Sequence, residues 1–566
     1  MKKIIKPIVF LAVIFITAFA VWLSPVLFKG FIPQDLGSPS IILGKNIAQT
    51  GVYGSENDLN IVLSSSLVKD QAHLSSQGNK LTAVIYGEIF KITGLLSEKE
   101  LLLLSVILQA LALVIFALTV LYLFGYKIAS LFSLIYILLP FSWQLPYSLG
   151  PYGFCLLFFS LFLLCYFFGI SRQRQYLYLI PAGIFLALAC LTKETIFFFL
   201  PFFFAYLWFK SSKRNLLYIL VPLLILLGCL WVPDVLKANN AYLLHFNNNA
   251  SEELKSADFA RFTHLFPDPY TYHFDKEEFL GNIQNQLEND KTSFWSKADL
   301  IKTMSNTGYL TPSLWERMAI GSVLAFDHFS RFFSLEEIGG PLIFLLMILG
   351  VYSLKQKNKQ LYSLSLGWII SIIFLLSFVA LAGRSHLMDF GWIIALLVSL
   401  GLALLIEILN KHFNFTQKKS AVLFLILTFI FLYSLILTNH VVWNQAFEST
   451  QTNLLIEAYS QKIKALNIAD QDVIAVPIDA YLYRINYLND KSLVLFRTKT
   501  IEGLLDKNEL ASAFEKFNVK YILGYSPELS QKIEDQTAAV NIATDSLKVP
   551  EIKTSAFKMW LMNFVR

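Results

Sequence analysis

The chain has 566 residues, 55% of them hydrophobic and 15% aromatic, with a formal net charge of +6 and a mean hydropathy of +0.56. Soluble domains hold about 45–50% apolar residues, so this composition excludes one large soluble core and argues for a multispan membrane protein. Short stretches flanking the apolar runs hold 15 of the 46 Lys and Arg residues, where they report topology and give no signal for nucleic acid.

A helix crosses about 30 Å of hydrocarbon in roughly 20 residues, and continuous rather than alternating runs favour helices over a barrel. Eleven such spans are predicted: 7–28, 100–124, 128–143, 151–170, 175–192, 195–209, 215–233, 338–354, 361–382, 387–406 and 420–438. Spans 128–143 and 195–209 are short and carry Pro140 and Pro201, where a kink or break beside a cavity is expected. Within the first span, Ala18-Phe19-Ala20 is similar to a signal-peptide cleavage site. The apolar run continues to Phe28, beyond a typical signal core, so it is read as a retained span. Cys155, Cys165, Cys190 and Cys229 all fall inside spans and read as small buried apolar groups.

With a cytoplasmic N-terminus, the basic stretches MKKIIK, Lys127, SRQRQ, KSSKRN, KQKNK and NKHFNFTQKK all fall on the cytoplasmic side. The expectation is therefore a multi-pass protein of the plasma membrane. It has a transmembrane domain over 1–441 with exterior loops 29–99 and 234–337, and an exterior α/β domain over 442–566. In that tail, 452–467 has helical apolar spacing, 472–478, 492–496 and 519–524 read as strands, and 509–517 as a helix. The alternation predicts a partly parallel sheet.

The first exterior loop begins IPQDLGSPSIILGKNIAQTGVYG (32–54). Asp35 lies just beyond the first span. Ser38 can cap a helix over Ser38–Gln49, Pro39 suits its first turn, and Ile41, Ile42, Ile47 and Ala48 supply an apolar face. A short helix of this kind next to a span suits an interfacial position on the bilayer. A second element of the same type is KLTAVIYGEIFKITG (80–94).

A span, an exterior acid, a short helix and then G-x-Y, here Asp35 with Gly51 and Tyr53, resembles the first-loop signature of the GT-C glycosyltransferases. Lys80 with LTAVIYG, LTKETIFFFLPFF (191–203), GRSHLMDFGWIIALLVSLGLALL (383–405) and KFNVKYILGYSPE in the tail are similar to further segments of that superfamily, notably its protein O-mannosyltransferase and aminoarabinose transferase branches. Two features depart from the pattern. Leu36 follows Asp35 where some members have a second acid, and SLGPYGFC (148–155) has no acid at the outer start of the fourth span.

The resemblance implies an inverting transferase that moves a sugar from a polyprenyl-phosphate donor to an acceptor hydroxyl or similar group at the exterior face. The acceptor class (lipid, glycan or protein) is left open. Asp35 is the candidate catalytic base, within reach of the incoming hydroxyl; the competing reading is an aspartate serving a helix N-terminus. Arg384 and Lys193 are candidate donor-phosphate ligands, against snorkelling to headgroups or, for Lys193, a pair with Glu194. Lys80 and His386 are further candidate donor contacts, and Asp389 shares the mouth of the Arg384 helix. No cofactor is implied, and a divalent metal is left open. In HLFPDPYTYHFDKEE (264–278), His264, Asp268, His273 and Asp275 match no metal spacing, and Pro267 and Pro269 break any shared helical face, so a solvated lid is expected. Alternatives are an O-antigen polymerase or ligase and a lipid or polysaccharide transporter. The near absence of charge at span centres and of an internal repeat speaks against the last.

Overall fold

Long apolar segments of this sequence become helices because only intrasegment hydrogen bonding satisfies a backbone in hydrocarbon. The computed structural model describes residues 2–29, 39–56, 62–71, 73–74, 80–147, 149–210, 213–230, 340–374, 391–413, 417–477, 479–496, 498–506 and 508–542, with five isolated positions between 318 and 329. In chain order the helices up to the C-terminal sheet are α1 (Lys2–Lys29), α2 (Pro39–Thr50), α3 (Ser65–Gln71), α4 (Lys80–Thr93), α5 (Glu98–Phe124), α6 (Tyr126–Leu138), α7 (Pro140–Gln144) and α8 (Tyr152–Ile170). They continue as α9 (Tyr176–Thr192), α10 (Leu200–Lys210), α11 (Lys213–Leu230), α12 (Pro341–Lys357), α13 (Lys359–Phe374), α14 (Gly391–Phe413) and α15 (Gln417–Ala465). The described part of each apolar segment expected to span is helical to within a residue at its ends, in one piece except at 128–143 and 195–209. Among the described residues, 5 helices are long and apolar enough to cross a membrane by length and composition, including α5, α8 and α11. The protein is a multi-pass membrane protein.

Both proline-bearing segments are interrupted. Leu139 is extended (φ −63°, ψ 137°), as a residue before proline prefers, and α6 ends there before the short turn of α7 at Pro140. The other break precedes Pro201, where Glu194–Phe199 is a 3₁₀ segment ahead of α10. Helix crossings elsewhere use small residues. A Cβ at Gly350 would overlap the backbone at Leu397, and one at Gly401 would overlap Leu346, so α12 and α14 meet backbone to backbone.

Helix α15 continues unbroken through the last apolar segment to Ala465, where the sequence suggested a separate helix over 452–467. Beyond the first-loop strands β1 (Gly54–Glu56) and β2 (His73–Leu74), which pair antiparallel, it delivers the chain to a four-stranded sheet of β3 (Val473–Val476), β4 (Ser492–Leu495), β5 (Val519–Ile522) and β6 (Val540–Asn541). The strand order is β4-β3-β5-β6 and every pairing is parallel, more uniform than the mixed sheet expected. Parallel neighbours need crossovers. These are α16 (Asp479–Asn489), the pair α17 (Thr498–Asp506) and α18 (Leu510–Lys516), and α19 (Pro527–Gln536).

The first loop is stitched into this domain. Val62 pairs with Leu493 at the β4 edge through two backbone hydrogen bonds of 3.0 and 2.9 Å. Leu63 and Val68 join the core under the sheet with Ala475, Phe496 and Phe514. Helix α2 is not interfacial. Residues 40–47 are all buried, because α4 covers one side of the helix and α16 the other. Its apolar residues therefore serve a protein core and not the bilayer surface.

Candidate active site

The fold gathers several helix ends on the side that carries the sheet. The N-terminus of α5 and the first-loop helices α2 and α4 meet α16 there, and α4 in turn touches the C-terminus of α9 through Thr82 and the first turn of α8 through Tyr86 and Phe154.

Lys193 is the predicted site residue whose side chain is described, and it occupies a helix break. Thr192 closes α9 by donating its hydroxyl to the carbonyls of Leu188 (3.0 Å) and Ala189 (2.8 Å). Lys193 is then extended (φ −154°, ψ 123°), its N–H still bonded to Ala189 O, before the 3₁₀ segment begins. The threonine competing for backbone acceptors favours the chain leaving the α conformation here.

Although only 5% exposed, Lys193 keeps a defined environment. Its ammonium nitrogen stands 3.6 Å from the centroid of the Tyr152 ring, well within cation–π range. Tyr152 is the first residue of α8, and among the described residues no side chain caps that helix; Pro151 precedes it. The first amides of an α-helix carry a partial positive charge and lack intrahelical acceptors. A cation and a helix N-terminus thus converge at one point, an arrangement suited to a phosphate. Thr82 of α4 donates to the carbonyl of Thr192 at 3.3 Å and ties the first loop to the same corner.

Lys80 begins α4, two residues before Thr82; its side chain lies outside the described residues, as does that of Glu194. Asp35, Arg384, His386 and Asp389 lie outside them too, as does the His264–Asp275 segment. Among the described residues no three His, Cys, Asp or Glu side chains converge as metal ligands. Tyr152, a neutral phenol, stands in the stretch where the GT-C pattern has an acid.

Two ion pairs not evident in the sequence hold this corner to the sheet, one buried at both ends and one at its lysine end only. Arg484 of α16 grips Glu98 at the start of α5 in a two-pronged contact, Nε to Oε1 at 2.7 Å and a terminal nitrogen to Oε2 at 2.9 Å. Tyr487 adds a hydroxyl bond to Leu96 O at 2.6 Å. Lys45 of α2 meets Asp490 at 2.6 Å. Lys45 was legible in principle, since it sits one turn after Ile41 and Ile42 and so breaks an apolar stripe. Its partner 445 positions away was not.

No known family profile matches the chain, and no curated protein matches it. Solved structures do. The archaeal oligosaccharyltransferase AglB from Archaeoglobus fulgidus, in complex with an inhibitory peptide and a dolichol-phosphate, aligns at 13% identity over 90% of this chain and 69% of its own, with a TM-score of 0.52. The same enzyme in complex with Zn and sulfate aligns at 14% identity over 90% and 67%, with a TM-score of 0.53. ArnT from Cupriavidus metallidurans bound to undecaprenyl phosphate aligns over 94% of this chain at 10% identity, but its TM-score of 0.37 carries no argument. At such identities the likeness to AglB establishes the fold.

Proposed function

We propose that this chain, which has the GT-C membrane fold, is an inverting glycosyltransferase using a polyprenyl-phosphate-linked sugar at the exterior side of the membrane. The observation that carries the reading is the buried Lys193 ammonium set against the uncapped start of α8 at a break between apolar helices. A buried cation at the end of an apolar span suits an anionic ligand, and a lipid phosphate brings that charge with its chain in the bilayer.

The chemistry requires few protein groups. Asp35 accepts the proton of the acceptor hydroxyl as that oxygen attacks the anomeric carbon. The bond from that carbon to the phosphate oxygen breaks, and its electron pair leaves with the phosphate. Lys193, the α8 amides and Arg384 stabilise the charge that develops there. One direct displacement inverts the sugar carbon. Lys80 and His386 contact the donor headgroup, and no step is routed through a metal.

The test is transfer from a panel of labelled polyprenyl-phosphate sugars by the purified protein in lipid nanodiscs. The wild type is expected to consume one donor with inversion, and Asp35→Asn to abolish transfer while inserting and folding normally. Full activity in Asp35→Asn would remove the proposed base, and no donor consumed by the wild type would remove the reading.

A further inference from the structure

The contact between the first loop and the C-terminal sheet contains a charge where packing alone would suffice. Lys45 lies midway along α2 with its side chain fully buried. Besides its 2.6 Å contact with Asp490, its ammonium donates to the backbone oxygen of Asn486 (3.1 Å) and to Asn486 Oδ1 (3.4 Å). Asp490 in turn accepts from the N–H of Ser65 at 2.9 Å and from the Ser65 hydroxyl. Asn486 donates to the carbonyls of Leu63 and Lys491, both at 2.9 Å. One network therefore locks α2, the strand-pairing segment after it and the end of α16.

Lys45 is fully buried while the Asp490 side chain is 39% exposed, and such a pair adds little net stability over apolar side chains of the same shape. What it does supply is register, because a slipped helix leaves a buried charge without its partner. The register of α2 matters where the helix crosses α4 closely: a Cβ on Gly44 would stand 2.6 Å from Tyr86 Cβ, and one on Gly87 would stand 2.8 Å from Ile47 Cγ2. From α4, Thr82 reaches the Thr192 carbonyl beside Lys193.

We infer that Lys45 is a positioning residue for the transfer site, its ion pair with Asp490 using the C-terminal sheet to fix α2 and, through it, the α4 contact beside Lys193. The inference rests on the transferase reading for its functional half. The sheet domain then acts as part of the catalytic apparatus without contributing a group that touches substrate.

The experiment compares Lys45→Met, Asp490→Asn and the double variant in the full chain in nanodiscs. Readouts are thermal midpoint, hydrogen exchange over residues 39–50, and kcat and KM for whichever donor the wild type uses. Asp490→Asn removes the counter-charge of the fully buried Lys45 ammonium and is expected to lower the midpoint; Lys45→Met leaves the partly exposed Asp490 carboxylate on its Ser65 donors and is expected to lower it less, and the double variant to recover it. A positioning role predicts that the double variant nonetheless loses about tenfold or more in kcat with donor KM within twofold, because small misplacements are costly in transfer chemistry. It also predicts faster exchange in α2 despite the restored midpoint. Recovery of both kcat and α2 protection in the double variant would reduce Lys45 to a stability role and overturn the inference. If the wild type transfers no sugar, the transferase reading fails, and α2 exchange in the refolded double variant still decides whether the pair sets the helix.

Discussion

Arg484→Met offers the sharpest test of how the sheet is held to the helices. The guanidinium is completely buried and Glu98 nearly so, with side-chain exposures of 0% and 9%. Removing one partner of such a pair typically costs about 3–5 kcal/mol, mainly because the other charge is stranded. Glu98 lies in the first turn of α5, beside the Ser97–Glu100 capping box, so the helix N-terminus still favours its carboxylate after Arg484 is gone. That places the expected cost near 3 kcal/mol. Polytopic proteins seldom unfold in one step, so the assay is local: hydrogen exchange of the α16 amides in nanodiscs. At 1.36 kcal/mol per power of ten, α16 should exchange roughly a hundredfold faster in Arg484→Met. A double replacement, Arg484→Met with Glu98→Leu, should recover most of the protection. A change under about fivefold in the single variant would mean that the pair is no anchor, and the reasoning about α16 would fall with it.

Three further outcomes are expected. Lys193→Gln should raise the donor KM about tenfold or more by removing the charge opposite the phosphate, while Tyr152→Leu should raise it only about threefold, the smaller value of a cation–π contact; equal KM for wild type and Lys193→Gln would exclude this lysine as a donor ligand. Gly44→Val should cost about 1–3 kcal/mol through overlap with Tyr86, read as a lower thermal midpoint; an unchanged midpoint would contradict the close crossing of α2 and α4. Burial pushes the Asp490 carboxyl up, but the Lys45 ammonium and the Ser65 donors outweigh it and hold the group below its ordinary value of 3.8. A depressed carboxyl contributes stability that is complete above 3.8 and lost as pH falls through the folded value. Asp490→Asn should therefore flatten the acid limb of the stability profile; identical acid limbs would refute it.

The membrane helices were legible because hydrophobicity and span length are properties of contiguous sequence. The breaks at Pro140 and Pro201 were legible for the same reason, since proline acts on its immediate neighbours. The strands at 473–476, 492–495 and 519–522 announced themselves as short β-branched runs between turn formers. What escaped were relations across the chain. Nothing near Lys45 indicates Asp490, and nothing near Glu98 indicates Arg484. A short helix with an apolar face reads the same whether it lies on lipid or inside protein, so the sequence of α2 suits an interfacial helix while the fold encloses it between α4 and α16. At the candidate site, Lys193 was legible as a charge at a span end, whereas its seat on Tyr152 was not, because the two belong to different helices.

The 49-residue helix α15 imposes a spacing rule. At about 1.5 Å per residue it measures roughly 73 Å, and hydrocarbon takes only about 30 Å of that. The remainder is a rigid spindle whose pitch dictates which way the sheet faces. Inserting a single residue into its polar half would turn everything beyond it by about 100°, swinging Arg484 and Asp490 away from the groups that meet them. Two full turns added together would bring the facing back yet lift the sheet about 10 Å clear of its seat. Length between the last span and Val473 is thereby quantised, and this stretch should tolerate substitution far better than any change in residue number.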